Sequence, residues 1–336
     1  MLMDAFFIAI GLFLLVWSAD KFVLGASNIA RHIKVPLFFI GFLVVGVGTS
    51  APEMIVSAMA SLEGNTGLAF GNALGSNVSN IALVLGLTAI VSPIIVDRNI
   101  VKVQLPLLFI FSIITFYLLL DFDISIYDGT LISTCMIFSL YLLVKMTPRS
   151  VIEENDPEIL EREGIEIPDT LSLKMSVFWT FIGMFILFAG SKLLVMGATG
   201  FAKAMGMSDL VIGLTIVAVG TSLPELTASI VAAMKKQHDL AFGNIIGSNM
   251  FNTLVVIAIP GLIAPGEVPS VAIMRDFIVV LGLTTLLLVY CGRRLNANDR
   301  GESGNTSFEA INRVQGATLF IFFIAYMSYV YFDSVG

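Results

Sequence analysis

The sequence predicts an all-α polytopic membrane protein: ten transmembrane helices forming two inverted five-helix repeats, with broken helices at the midplane. Three observations carry this reading. Of 336 residues, 57% are hydrophobic and 13% charged, with mean hydropathy +0.94; a soluble domain carries roughly 25% charge. Apolar runs recur at about 20 residues, the length that crosses a hydrocarbon core of about 30 Å, and the short alternating segments of a β-barrel are missing. Finally, one polar stretch occurs twice. Gly48-Thr49-Ser50-Ala51-Pro52-Glu53 and Gly71-Asn72-Ala73-Leu74-Gly75-Ser76-Asn77-Val78-Ser79-Asn80 return 172 residues later as Gly220-Thr221-Ser222-Leu223-Pro224-Glu225 and Gly243-Asn244-Ile245-Ile246-Gly247-Ser248-Asn249-Met250-Phe251-Asn252.

Hydropathy places the spans near 2–19, 36–62, 68–92, 103–120, 126–145, 175–195, 208–234, 240–264, 275–291 and 314–332. Met1-Leu2-Met3-Asp4 lacks the basic start of a cleaved signal peptide, so the first run is expected to stay as a helix. Asp121-Phe122-Asp123 divides the fourth span from the fifth, and Pro265-Gly266-Glu267 ends the eighth. Residues 1–145 form the first repeat and 175–336 the second. Between them, 146–174 is an acidic linker with Glu153, Glu154, Asp156, Glu158, Glu161, Glu163, Glu166 and Asp169. It lacks the Asp-x-Asp-x-Asp-Gly pattern of an EF-hand and is too short for a domain, so it reads as a solvated connection. It also supplies much of the net charge of −7.

Lysine and arginine set the orientation, because they concentrate in cytoplasmic connections. With both termini outside, 15 of the 18 fall in inside connections, among them Lys21, Arg31, Lys235 and Arg293; Lys192, Lys203 and Arg275 remain outside. The linker is then cytoplasmic. Five spans per half give the halves opposite orientation, the inverted-repeat plan of many secondary transporters. Gly25-Ala26 with Gly197-Ala198, and Gly41 with Gly213, extend the 172-residue match upstream. Cys135 and Cys291 lie in apolar runs and read as small hydrophobes.

A continuous second span would be about 40 Å long at 1.5 Å per residue, and Gly46, Gly48 and Pro52 sit near its middle. A break around Gly48–Ser50 follows, with its equivalent at Gly220–Ser222. Irregular backbone at that depth is tolerated where it lines a cavity. Glu53 and Glu225 lie one turn beyond the breaks. Ser50-x-x-Glu53 also fits a capping box, but a Gln would cap without the cost of an acid near the bilayer centre, on the order of 3 kcal/mol. Asn72, Ser76 and Asn80 share one helix face at i, i+4, i+8, repeated by Asn244, Ser248 and Asn252. Gly71, Gly75, Gly243 and Gly247 form small-xxx-small pairs that permit close helix approach. Carboxylates, hydroxyls, amides and freed carbonyls make an all-oxygen site suited to Ca²⁺ rather than Zn²⁺ or copper. His32 and His238 fall in expected loops, away from it. These observations imply a cation transporter with a midplane site and leave the ions open.

The paired Gly-Thr-Ser-x-Pro-Glu and Gly-Asn-x-x-Gly-Ser-Asn-x-x-Asn segments resemble the two α-repeats of the Na⁺/Ca²⁺ exchanger family in the cation/Ca²⁺ antiporter superfamily, compact prokaryotic type. The resemblance spans essentially the whole chain. It implies exchange of Na⁺ for Ca²⁺ across the cell membrane by alternating access, with spans one and six sliding across the rest. It implies Glu53 and Glu225 as central ligands, with Thr49, Ser50, Thr221, Ser222, Ser76 and Ser248 binding through oxygen, and Asn80 completing the first half. Asn252 departs from the pattern, because several members, the K⁺-dependent ones in particular, carry an acid there. No cofactor, enzymatic role or nucleic-acid partner is expected; Ca²⁺, Na⁺ and the bilayer are the partners, and a monomer suffices.

The alternative is an H⁺/Ca²⁺ antiporter on the same fold, since a buried Glu can carry a proton. Proton-coupled relatives usually hold Gly-Asn-Ala-x-Glu in their repeats, which this chain lacks. A channel would need a continuous pore. An intramembrane enzyme would leave the duplication unexplained.

Overall fold

The computed structural model describes residues 2–33, 35–146, 171–205, 218–298 and 307–335. The helices are α1 (Leu2–Ile33), α2 (Leu37–Thr49), α3 (Ala51–Leu62), α4 (Thr66–Val91), α5 (Arg98–Leu118) and α6 (Ile126–Met146). The second half contributes α7 (Leu173–Ala204), α8 (Ala218–Thr221), α9 (Leu223–Met234) and α10 (His238–Ile263). It closes with α11, which opens on wide π-turns at Ala272–Phe277 and runs on as Ile278–Asn298, and α12 (Arg313–Val335). Among the described residues eight helices are long and apolar enough to span a bilayer, and α2 with α3 makes one more span bent by 41°. Of the expected seventh span only the part from Ala218 on is described; the acidic run of the linker lies outside the described residues.

The breaks fall where glycine and proline put them. Ser50 leaves helical geometry at φ −83°, ψ 4°, and α3 starts with Pro52 in its first turn; Ser222 repeats this at φ −89°, ψ 4° before α9. Proline needs no hydrogen bond at that position, so the second half-helix begins without an extra orphan amide.

Helices α1 and α7 are both 32 residues long, well beyond the expected 2–19 and 175–195. The hydropathy reading ended the first span near residue 19 and put Lys21 in the connection after it. In the structure the helix runs on: Ser18 and Ser27 hydroxyls donate to Leu14 O and Val23 O (2.5 and 2.8 Å), Asn28 donates to Leu24 O (2.9 Å), and Asp20 pairs with Lys235. Lys21 and Arg31 therefore lie in α1, and Lys192 and Lys203 in α7, rather than in connections. His32 and His238 likewise sit at the ends of α1 and α10, with His32 Nε2 2.6 Å from Leu171 O. The two long helices pack together along their length. Glycine allows it: a Cβ at Gly11 would stand 2.6 Å from the Leu194 nitrogen, and one at Gly183 2.8 Å from the Phe22 nitrogen.

Two short ladders, absent from the sequence reading, join the halves. Strand β1 (Ile94–Asp97) pairs antiparallel with β4 (Ser307–Ile311), and β2 (Asp123–Ile124) pairs antiparallel with β3 (Gly266–Glu267). They lie at opposite ends of α5. Each joins the connection after the third span of one repeat to the connection after the fourth span of the other, so the ladders are themselves repeat-related. They were missed because strands of two to five residues carry almost no periodic signal.

Candidate cation-binding site

Helix α2 crosses α10 at close range. A Cβ on Gly243 would stand 2.5 Å from Phe38 O, and one on Gly247 2.6 Å from Phe42 O. Contacts this short admit only glycine, and they bring the α2 break against the polar face of α10. Gly71 and Gly75, expected to serve the same purpose, meet nothing within 4 Å among the described residues. The repeat equivalents of Phe38–Phe42 are residues 210–214, outside the described residues.

From this contact the polar groups converge. Ser248 donates to Gly46 O at 3.2 Å, a carbonyl in the π-turns Gly41–Gly46. Thr49 Oγ1 donates to Asn244 Oδ1 at 3.2 Å, and the Asn244 amide donates to Ser229 Oγ at 2.8 Å and to Glu225 O at 3.3 Å. In the other half, Asn72 donates to Glu53 O at 3.0 Å, and Ser76 Oγ lies 3.5 Å from Glu53 Oε1. The Glu225 carboxyl faces Glu53, Thr49 and Ser50 of the opposite repeat. Both glutamates are 1% exposed.

The capping alternative fails here: neither Ser50 nor Ser222 makes a side-chain cap hydrogen bond. Among the described residues their hydroxyls are buried without a partner, as are Glu53 Oε2, both carboxylate oxygens of Glu225, and both amide atoms of Asn80 and Asn252. A buried unsatisfied polar group costs about 1–3 kcal/mol, and a charged one more. Two carboxylates held together also repel. Cations offset these costs, and the donor set, all oxygen, fits a hard one.

Of the ten candidate residues, Thr49, Ser50, Glu53, Ser76, Asn80, Ser222, Glu225, Ser248 and Asn252 are buried, and Thr221 is half-buried. The hydrogen-bond network draws Thr49, Ser76 and Ser248 to the broken helices. Asn80 and Asn252 stand apart from it, each at the start of π-turns, Ser79–Leu85 and Asn252–Val256. Such turns recur at functional positions in helices, and no sequence pattern announced them. Asn72 and Asn244 were placed on the right face but not among the candidates. Their amides brace the backbone of the two glutamates, a role that needs the cross-helix distances to see. Asn77 supplies another link, donating to Thr253 Oγ1 of the other half at 3.0 Å.

Comparison with known proteins agrees with this architecture. A family model for the sodium/calcium exchanger protein matches residues 3–147 and 175–332. The chain is 41% identical over 334 residues to a putative antiporter, CaxA, of Alkalimonas amylolytica, covering 99% of this chain and all of that one. It is 26% identical to the sodium/calcium exchanger MaX1 of Methanosarcina acetivorans, covering 96% and 97% of the two chains. A structure of the sodium-calcium exchanger NCX_Mj soaked with zero Na⁺ and Ca²⁺ superposes with a TM-score of 0.78 at 32% identity, covering 98% of this chain and 99% of that one.

Proposed function

Because the chain belongs to the sodium/calcium exchanger protein family, we propose that it is a secondary active antiporter exchanging Na⁺ for Ca²⁺ across the cell membrane by alternating access. The observation that carries the proposal is the pair of buried carboxylates, one from each repeat, among oxygen groups of which Ser50, Ser222, Asn80 and Asn252 lack partners among the described residues. Glu53 and Glu225 bind the transported cation. Thr49, Ser50, Ser76 and Asn80, with Thr221, Ser222, Ser248 and Asn252, supply neutral oxygens whose number suits a six- to eight-coordinate ion. Two negative charges match one Ca²⁺, and the surrounding hydroxyls and carbonyls accept Na⁺ in its place. Competition for the same charges couples the two fluxes. The excess of Lys and Arg on one set of helix ends and connections supports a topology with both termini outside and the linker in the cytoplasm.

The test is Ca²⁺ uptake into proteoliposomes of the purified protein, driven separately by outward Na⁺ and outward H⁺ gradients. Uptake with Na⁺ alone, lost in Glu225→Gln, is expected. Uptake with H⁺ alone would assign the same site to proton coupling, since a carboxylate in this position can carry either cation. No uptake under either gradient would overturn the proposal.

A further inference from the structure

Asp20, on α1, forms an ion pair of 2.6 Å with Lys235, the residue that ends α9, and the Lys235 ammonium also donates to the Asp20 carbonyl at 3.3 Å. Moving each residue by the 172-residue repeat offset lands on a second pair. Asp20 becomes Lys192, on α7, and Lys235 becomes Glu63, the residue that ends α3. The signs are exchanged and the complementarity is kept. In this structure, however, Glu63 and Lys192 are both exposed and neither joins an ion pair among the described residues. The packing is equally one-sided. Helix α1 lies along α9, whereas α7 has no comparable contact with α3. Lys21 also approaches Asp20, at 3.4 Å, but it belongs to the α1–α7 pair itself, lying 5.9 Å over the Trp179 ring of α7, so it travels with Asp20.

Inverted repeats exchange roles when such a protein changes its access side. Resting on the antiporter reading above, we infer that Asp20–Lys235 and Glu63–Lys192 are alternating latches: each closes one face, and only one is made at a time. The first holds the face that the positive charge places inside. When α7 swings onto α3, Lys192 meets Glu63, Asp20 releases Lys235, and the outside closes. A contact made in only one of two states favours that state by its own free energy. For a partly exposed ion pair this amounts to about fivefold in population, equal to about 1 kcal/mol at 1.4 kcal/mol per tenfold. Both pairs sit away from the cation site, so they adjust the balance between access states without touching the ion.

The full-length protein, with Cys135 and Cys291 replaced by Ala, carries spin labels at Leu62→Cys and Met196→Cys, both exposed. Double electron–electron resonance in lipid nanodiscs then reports the α3–α7 separation. Asp20→Asn is expected to raise the ratio of short to long distances about fivefold, and Lys192→Gln to lower it. The exchange variant Asp20→Lys with Lys235→Asp should restore the parent ratio, which separates loss of the pair from loss of fold. Two distances whose ratio ignores these changes, or moves the same way in both single variants, would overturn the latches. A single distance unmoved by saturating Na⁺ or Ca²⁺ would overturn alternating access itself, and the latches with it.

Discussion

Replacing Gly247 by Ala probes the α2–α10 contact that carries half of the candidate site. The new Cβ would stand 2.6 Å from Phe42 O, 2.8 Å from its Cα and 3.0 Å from its carbonyl carbon, all rigid backbone atoms. Ordinary Cβ contacts begin near 3.4 Å, so the two helices must part by roughly 0.8 Å, an overpacking that typically costs about 1–3 kcal/mol. The same displacement acts on two bonds beside it. Ser248 to Gly46 O and Thr49 to Asn244 both stand at 3.2 Å; lengthened to roughly 4.0 Å, neither remains a hydrogen bond. The brace between the α2 break and Glu225 is then lost. In Na⁺-driven Ca²⁺ uptake by proteoliposomes, Gly247→Ala should raise the apparent KM for Ca²⁺ about tenfold or more, and the detergent-solubilised protein should melt at lower temperature. Gly282→Ala is the matched control. It lies in a helix with nothing within 4 Å of its Cβ among the described residues, so it should keep wild-type transport and gain up to about 1 kcal/mol of helix propensity. A wild-type KM in Gly247→Ala would refute the argument that this contact positions the site.

Ser50→Ala separates ligand from cap: a lost cap costs about 1 kcal/mol, so thermal stability should change by under about 0.5 kcal/mol while apparent Ca²⁺ affinity falls about fivefold, and the reverse pattern would return Ser50 to a capping role. Glu53→Gln should abolish Ca²⁺ transport in a protein that still elutes as a folded species on size exclusion; flux at the wild-type rate would remove Glu53 from the site. Asn252→Asp adds a third carboxylate to a buried cluster and should alter cation selectivity or the pH profile of uptake, whereas superimposable profiles would place Asn252 outside it. Deleting residues 152–167 should leave transport measurable, because a solvated linker only joins the halves; complete loss in a well-folded deletion would give the linker a further role.

Composition and the 172-residue repeat were enough to establish a helical membrane protein, because hydrocarbon imposes one length and one satisfied backbone on every span. The breaks at Ser50 and Ser222 were legible too, since proline and glycine act through local sterics that need no partner. The sequence also located the two buried glutamates and the helix face that carries Asn72 and Asn244, because helical periodicity aligns residues four apart whatever surrounds them, whereas Asn80 and Asn252 on that face stand apart from the network. Helix ends were another matter. Asp20 looks like a terminator until Lys235, 215 residues away, is seen to neutralise it. The choice between capping and freely buried hydroxyls at Ser50 needed the coordinates, in which no cap hydrogen bond forms. Spacing marked Gly243 and Gly247 as points of close approach but marked Gly71 and Gly75 equally, and only the cross-helix distances tell the two pairs apart. The π-turns that start at Ser79 and Asn252, the paired strands and the one-sided packing of α1 on α9 arise from long-range contacts. Those contacts depend on how the two halves meet, and a linear pattern holds no record of that.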